Sequence, residues 1–416
     1  MSQNPSALAV LATLAAFGAY SCMYAFRKPF TAATYSQFSF WGFDYKVLLV
    51  LAQTVGYTLS KFIGIKVVAE VRPTNRAWII LALIGFSEGA LLLFPLVPAP
   101  ANVVCLFFNG LPLGMIWGIV FGFLEGRKVS DLLGLGLSIS FIVASDVMKS
   151  VGRILMDQWH VSEFWMPAVT GALFAPLLLL CLWVLAQVPP PTSEDEVART
   201  KRVPMNATAR WAFLREYGLG LGFLILAYVL LSVYRDLRDT FMVEILRDLG
   251  ALKDNLVFTR VGLIVGLSVL VVLSFFWRIQ DNRRALFTYL SIIGAGALVV
   301  GASTMAFQFG LLAPFWWVVW TGVGAYLAYV PYNSVLFDRL LGAFRVTGTS
   351  GFLITLADSF GYLSSAGLYI YRAVFKGTAS WLSFLTYGSY VVALAVPVLL
   401  LLSILYFRRR CRDFAG

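Results

Sequence analysis

The stretch VPPPTSEDEVARTKRVPMNATARWAFLR, residues 188–215, is the one long break in an otherwise apolar chain. Proline and charge crowd into it without any apolar period, so it reads as a linker between larger bodies. Asn206-Ala-Thr208 inside it is a chance glycosylation match. Six apolar stretches precede the linker, near residues 7–31, 46–68, 77–96, 102–124, 132–152 and 164–188. Six more follow it, near 217–240, 256–277, 285–307, 311–337, 348–372 and 380–407. A helix crosses a bilayer with about 20 mostly apolar residues. The expected architecture is therefore all-α and membrane-integral, with twelve transmembrane helices in two six-helix halves. Those halves are 1–188 and 216–416, joined by a cytoplasmic linker, 189–215, and followed by a short basic tail.

Composition agrees with that reading. Of 416 residues 60% are hydrophobic and 13% charged, and the mean hydropathy of +0.81 is outside the range of soluble globular chains. A net charge of +11 raises the question of nucleic acid. Most of the basic residues, however, fall in alternate loops and the tail, among them Arg72, Arg76, Arg127, Lys128, Lys201, Arg202, Arg283, Arg284, Arg408 and Arg409. The positive-inside rule accounts for that bias, places both termini in the cytoplasm and leaves no need for nucleic acid. Compact loops point to a bacterial inner membrane, with the lipid bilayer as partner and a monomer as the default. Residues 7–20 are Ala-rich, but no basic residue precedes them and the apolar run continues, so no cleaved signal peptide is expected.

Several features carry no chemistry. Cys22, Cys105, Cys181 and Cys411 form no CxxC pair and read as small buried hydrophobes. His160 is the only histidine, so no multi-histidine metal site is expected, and no cofactor is expected either. Gly218-x-Gly220-x-Gly222 opens a membrane helix with no strand before it, which excludes a nucleotide loop. Trp316, Trp317, Trp320 and Trp381 fall near the predicted outer helix ends, where aromatic belts form.

The informative residues are polar ones inside the apolar stretches. Tyr20, Tyr24 and Arg27 lie at i, i+4 and i+7 on the first, and Tyr57 and Lys61 at i, i+4 on the second. A cation at the bilayer centre costs about 2.5–3.5 kcal/mol on insertion scales, so it is kept where it faces a cavity or a counter-charge. The pattern implies a polar pocket within a helical bundle. A faint internal repeat links the halves: Arg27-Lys-Pro-Phe30 ends the first stretch and Arg238-Asp-Thr-Phe241 the seventh, each shortly after a tyrosine, Tyr24 or Tyr234.

Five acids also fall within predicted spans: Glu88, Asp146, Asp236, Asp239 and Asp358. They read two ways. Asp146 with Lys149 at i, i+3, and Arg235 with Asp239 at i, i+4, have the spacing to pair along their own helices. A buried carboxylate can instead carry a proton. Asp358 is the better relay candidate, about ten residues into the eleventh span with no basic neighbour at helical spacing, and Glu88 is similarly isolated on the third.

A six-plus-six layout with a charged central loop is that of the major facilitator superfamily, whose halves move about a midplane site. Within it the chain resembles the organophosphate:phosphate antiporter branch, which includes glycerol-3-phosphate and hexose-phosphate transporters. The matching residues are Tyr20, Tyr24, Arg27, Lys28 and Phe30 on the first helix, and Tyr57, Ser60, Lys61 and Phe62 on the second. Tyr329 and Pro331 match on the tenth; Gly348, Thr349, Gly351, Phe352 and then Phe360, Gly361, Tyr362, Leu363 match on the eleventh. The chain also resembles bacterial transporter-like families without an assigned function. The resemblance implies that Arg27 and a seventh-helix arginine bind phosphate from the two halves, with Lys61, Tyr20, Tyr24, Tyr57, Tyr329 and Tyr362 lining the site. Guanidinium suits that role through paired charge-assisted bonds to phosphate oxygens. On the seventh helix Arg235 fits the family's distance to the helix end and Arg238 fits the internal repeat. The family's Asp-Arg turn after the second helix is replaced here by Glu70-Val-Arg72, and the five acids are a further departure.

The expected function is a secondary transporter of a small anionic metabolite, an organophosphate on the resemblance, working by alternating access with phosphate exchange or proton coupling. Two alternatives stay open: a transporter-like membrane sensor of a phosphorylated metabolite, and a carrier for a non-phosphate substrate. An enzyme is not expected, since the chain has no His-rich cluster, no GxSxG and no substantial soluble domain.

Overall fold

The computed structural model describes residues 5–40, 42–124, 130–188, 207–252, 254–276, 279, 281–344, 350–375 and 380–413. Most of the linker, the basic pair Arg127-Lys128 and the Gly348-Thr349 part of the eleventh-helix motif lie outside them.

Each of the twelve apolar stretches holds helix. In order they are α1 (Pro5–Met23), α2 (Tyr45–Glu70), α3 (Arg76–Leu93), α4 (Val103–Leu113) with α5 (Ile116–Leu124), α6 (Ser130–Asp157) and α7 (Met166–Ala186). After the linker come α8 (Ala207–Thr240), the short α9 (Met242–Asp248), α10 (Val257–Phe276), α11 (Asn282–Gln308), α12 (Pro314–Ser334) with the short α13 (Leu336–Ala343), α14 (Ser350–Phe375) and α15 (Trp381–Asp413). Among the described residues eight segments are long and apolar enough to cross a membrane by themselves. Several helices that fall short are rich in polar or aromatic groups: α6 holds Asp146, Lys149 and Arg153, α14 holds Asp358 and Arg372, and α12 is dense in Trp and Tyr.

Local chemistry sets the helix ends. Asp44 caps α2, its carboxylate accepting from the Lys46 N–H at 2.9 Å, and Asp281 caps α11 through the Arg284 N–H at 2.7 Å. Two expected single helices are broken instead. The first stretch stops being α-helical at Met23 and continues as short 3-10 turns at Tyr24–Phe26 and Pro29–Ala32. Pro29 has no N–H to continue the ladder and disfavours helix in the residue before it. The fourth stretch turns between α4 and α5, just after Pro112.

The chain packs as two compact units. The first comprises Met1–Arg199, Asp239–Leu263 and Ala366–Thr378; the second comprises Thr200–Arg238, Ile264–Ser365 and Ala379–Gly416. Segments 239–263 and 366–378 of the second sequence half thus fold with the first six spans. In the first unit α2 and α4 meet almost backbone to backbone. A Cβ at Gly56 would strike the Phe107 carbonyl and one at Gly110 the Gln53 carbonyl, so only glycine permits this approach. In the second unit α11 and α12 meet through Gly296 and Gly324, where a Cβ on either would fall 2.6 Å from the other's carbonyl oxygen.

The tryptophans divide in a way that aromatic-belt reasoning does not anticipate. Trp316 and Trp320 share an exposed face of α12, each 47% exposed, whereas Trp317 and Trp381 are buried. The neighbouring position on the helix turns Trp317 inward, where it stacks on Phe307 and donates its indole N–H to Thr304 Oγ1 at 3.0 Å. Cys22, Cys105 and Cys181 are buried free thiols, as expected.

Candidate functional site

In the first unit the site is built on the break in the first span. Ending α1 at Met23 releases backbone carbonyls that a continuous helix would have satisfied. Two side-chain amides take them: Asn109 Nδ2 donates to the Phe26 carbonyl and Gln53 Nε2 to the Arg27 carbonyl, both at 2.9 Å. Gln53 also donates to Asn109 Oδ1 at 2.7 Å, and Asn109 to Ser87 Oγ at 2.7 Å. All three side chains are buried. This polar seam ties the first four spans together and fixes the segment that carries Arg27. The Arg27 guanidinium lies over the Tyr57 ring, 3.7 Å from its centroid, with Tyr24 at 5.9 Å. Tyr20 meets Tyr24 edge-on at 5.6 Å, and Lys61 Nζ lies 5.6 Å from the Tyr57 centroid. Five sequence candidates, Arg27, Tyr20, Tyr24, Tyr57 and Lys61, are therefore brought together.

The same unit holds a buried ionic cluster. Asp239 binds Lys28 Nζ through Oδ2 and Lys149 Nζ through Oδ1, both at 2.5 Å, and accepts from Ser145 Oγ at 2.8 Å. Lys149 also reaches Asp146 at 3.0 Å. Lys46 Nζ pairs with Glu244 at 2.6 Å and donates to the Thr31 carbonyl at 2.7 Å. Three ammonium groups thus meet three carboxylates, and the charges of this set balance. The Asp146–Lys149 pairing along one helix is present. The expected Arg235–Asp239 pairing is replaced, because lysines of other elements take both Asp239 oxygens.

Glu88 stands apart from this network. It is half-buried, and its Oε2 lies against Gly171, where a Cβ would fall 2.4 Å from it, with no hydrogen-bond partner among the described residues.

The second unit holds a separate constellation. The Arg235 guanidinium lies over the Tyr329 ring at 4.3 Å, with Tyr326 and Tyr362 as further phenols around it and Asp236 Oδ1 at 4.0 Å. Tyr329 stacks on Tyr228, their hydroxyls 3.0 Å apart. The Tyr228 hydroxyl also contacts Asp358 Oδ1 and receives the Asn333 Nδ2–H at 3.1 Å. Arg238 is elsewhere: its Nη2 donates to the Val318 carbonyl at 2.9 Å, in a slot left by Gly322. A Cβ at Gly322 would fall 2.6 Å from that nitrogen.

A family model described as a family of unknown function, DUF5690, matches residues 29–410. The chain belongs to DUF5690. No curated protein matches the DUF5690 chain in sequence. Among solved structures it is similar to a D-xylose-proton symporter, with a TM-score of 0.61 and 14% identity over 95% of this chain and 96% of that one. It is also similar to a mutant form of the nucleoside transporter NupG, with a TM-score of 0.62 and 11% identity over 96% and 100%. An inward-open form of the xylose transporter XylE from E. coli gives 0.59 and 13% over 95% and 94%. At these identities the likeness establishes the fold alone, the multi-pass helical fold these carriers share, and leaves the resemblance to the organophosphate branch as an expectation.

Sequence reasoning missed Gln53, Asn109, Lys46, Glu244, Tyr228 and Asn333. Gln53 and Asn109 had a signal, since each is an amide inside an apolar run. Tyr228 had one too, lying seven residues before Arg235 on the same helix face. Glu244 falls beyond the predicted end of the seventh span, where a charge draws no attention.

Proposed function

We propose that this protein is a secondary transporter of a small anionic metabolite, with a phosphate ester as the favoured class. Its anion-binding residues are Arg27 in the first unit and Arg235 in the second. The carrying observation is that each arginine is largely buried in an apolar span and laid on a tyrosine ring, Arg27 on Tyr57 and Arg235 on Tyr329. A guanidinium stacked on an aromatic face points its N–H groups outward in the ring-parallel plane, the geometry that suits a planar or tetrahedral anion, while stacking supplies about 0.5–2 kcal/mol toward its desolvation. Arg238 makes its bond to a backbone carbonyl and is assigned to packing. The xylose symporter and nucleoside transporter with this fold are carriers of small solutes, which supports transport by alternating access between the sequence halves 1–188 and 216–416. In this reading both termini are cytoplasmic and the inner membrane is the site of action, with Lys61, Tyr20, Tyr24 and Tyr362 lining the path.

The test is thermal stability of the purified protein against inorganic phosphate, glycerol phosphates, hexose phosphates, phosphoenolpyruvate, carboxylates, sugars and amines. A ligand at about 100 times its Kd stabilises by about 2.7 kcal/mol. Stabilisation by phosphate compounds should vanish in Arg27→Ala and in Arg235→Ala. Stabilisation confined to neutral or cationic compounds, or untouched by either substitution, refutes the anion reading.

A further inference from the structure

The hydrogen-bond network around Asp358 has two self-consistent arrangements of its protons. Tyr228 has one hydroxyl proton and two acceptor neighbours, Asp358 Oδ1 and Tyr329 Oη. With Asp358 ionised, Tyr228 must donate to the carboxylate, and the proton between the two hydroxyls is then Tyr329's. With Asp358 protonated, its own O–H donates to Tyr228, Tyr228 donates to Tyr329, and the Tyr329 proton turns to another acceptor. Asn333 Nδ2 donates to Tyr228 Oη in both arrangements, so the middle of the chain stays anchored while its direction reverses. One proton is taken up at Asp358, and two O–H groups, those of Tyr228 and Tyr329, are re-aimed.

Tyr329 is the ring under Arg235. We infer that Asp358 is a proton-coupling site whose protonation state is passed through Tyr228 to Tyr329, so that the protonated form presents the Tyr329 O–H to an anion held by Arg235. The coupled ion is then a proton, moving in the same direction as the anion. This rests on the anion-binding reading of Arg235. The groups around the chain are Tyr228, Ser232, Arg235 and Asp236 from α8, Tyr326, Tyr329, Tyr332 and Asn333 from α12, and Tyr362 on α14 itself. Gly361 lets α14 sit close enough for this contact: a Cβ there would fall 2.9 Å from Ser232 Oγ and 3.3 Å from Tyr228 Cε1.

The experiment is infrared difference spectroscopy of the full chain in lipid nanodiscs across a pH titration, which needs no substrate. A carboxylic C=O band should grow as pH falls and be missing in Asp358→Asn. Tyrosine C–O–H bands should change in step with it in wild type, and stay constant in Asp358→Asn. Tyr228→Phe, which keeps the carboxyl, should retain the C=O band at a shifted frequency while the coupled Tyr329 change disappears. Tyrosine bands that respond identically in wild type and Tyr228→Phe, or a C=O signal unaltered in Asp358→Asn, overturn the inference. Binding of sulfate, followed by thermal shift, separates the two readings. Affinity falling up to about tenfold per pH unit in wild type but flat in Asp358→Asn adds support for the coupling. Sulfate binding indifferent to Arg235→Ala counts against the anion site alone, since the infrared result does not depend on it.

Discussion

Replacing Lys149 by methionine should destabilise the protein far more than replacing Lys149 and Asp146 together. Lys149 is fully buried and holds two carboxylates, Asp146 at 3.0 Å and Asp239 at 2.5 Å. Around it Lys28 is a second partner of Asp239, while Lys46 and Glu244 balance each other. Lys149→Met therefore leaves Asp146 and Asp239 with one cation fewer between them, a surplus negative charge at buried side chains. Breaking a buried pair from one side costs about 3–5 kcal/mol. At about 2–4 °C per kcal/mol for bodies of about 150–250 residues, the melting temperature should fall by on the order of ten degrees. Adding Asp146→Leu restores the balance, with Lys28 and Asp239 still paired, and should recover a large part of the loss. The assay is intrinsic-fluorescence unfolding in detergent at a fixed scan rate, since such transitions are commonly irreversible. A single variant indistinguishable from wild type would refute the charge balance. So would a double variant whose loss equals the sum of the two single losses, because that additivity means no coupling between the residues.

Gln53→Leu and Asn109→Leu should each lower stability, by about 1–3 kcal/mol for the buried carbonyl left unsatisfied, and both should weaken any ligand that Arg27→Ala abolishes. Gly322→Ala should displace the Arg238 guanidinium and cost about 1–3 kcal/mol while leaving ligand selectivity in the thermal-shift panel unchanged. Arg238→Met should behave the same way, whereas Arg235→Met should lose the ligand response with a smaller stability loss; the reverse pattern would exchange the roles of the two arginines. Glu88→Met should hold or raise the melting temperature, since the carboxyl oxygen it removes is buried without a partner among the described residues. A marked fall would mean that Glu88 makes a contact needed for folding.

Hydropathy exposed the spans because the bilayer imposes it: every membrane-crossing backbone must satisfy itself internally, so length and apolarity alone locate the helices. What escaped was where those helices stop. The run from Leu8 to Phe26 is as apolar past Met23 as before it, and the break is stabilised by Asn109 and Gln53, which are remote in sequence. The site shows the same division. Residues sharing one helical face, such as Tyr20, Tyr24 and Arg27, could be grouped by period, and they do meet. Pairings between elements could not. The i, i+4 rule offered Arg235 to Asp239, yet a carboxylate buried in a membrane takes whichever cations reach it with least unpaired charge left behind. Lys28 and Lys149 place two cations on it, one at each oxygen, where a neighbouring guanidinium along the same helix would place one. Arg235 lies instead among Tyr329, Tyr362 and Asp236, stacked on a ring where Arg238 is bonded to the Val318 carbonyl, and that difference is what makes Arg235, rather than Arg238, the arginine to test for the anion. Had the local rule won, Arg235 would be held by Asp239 as well as by Asp236, and its substitution would then change stability without changing any ligand response.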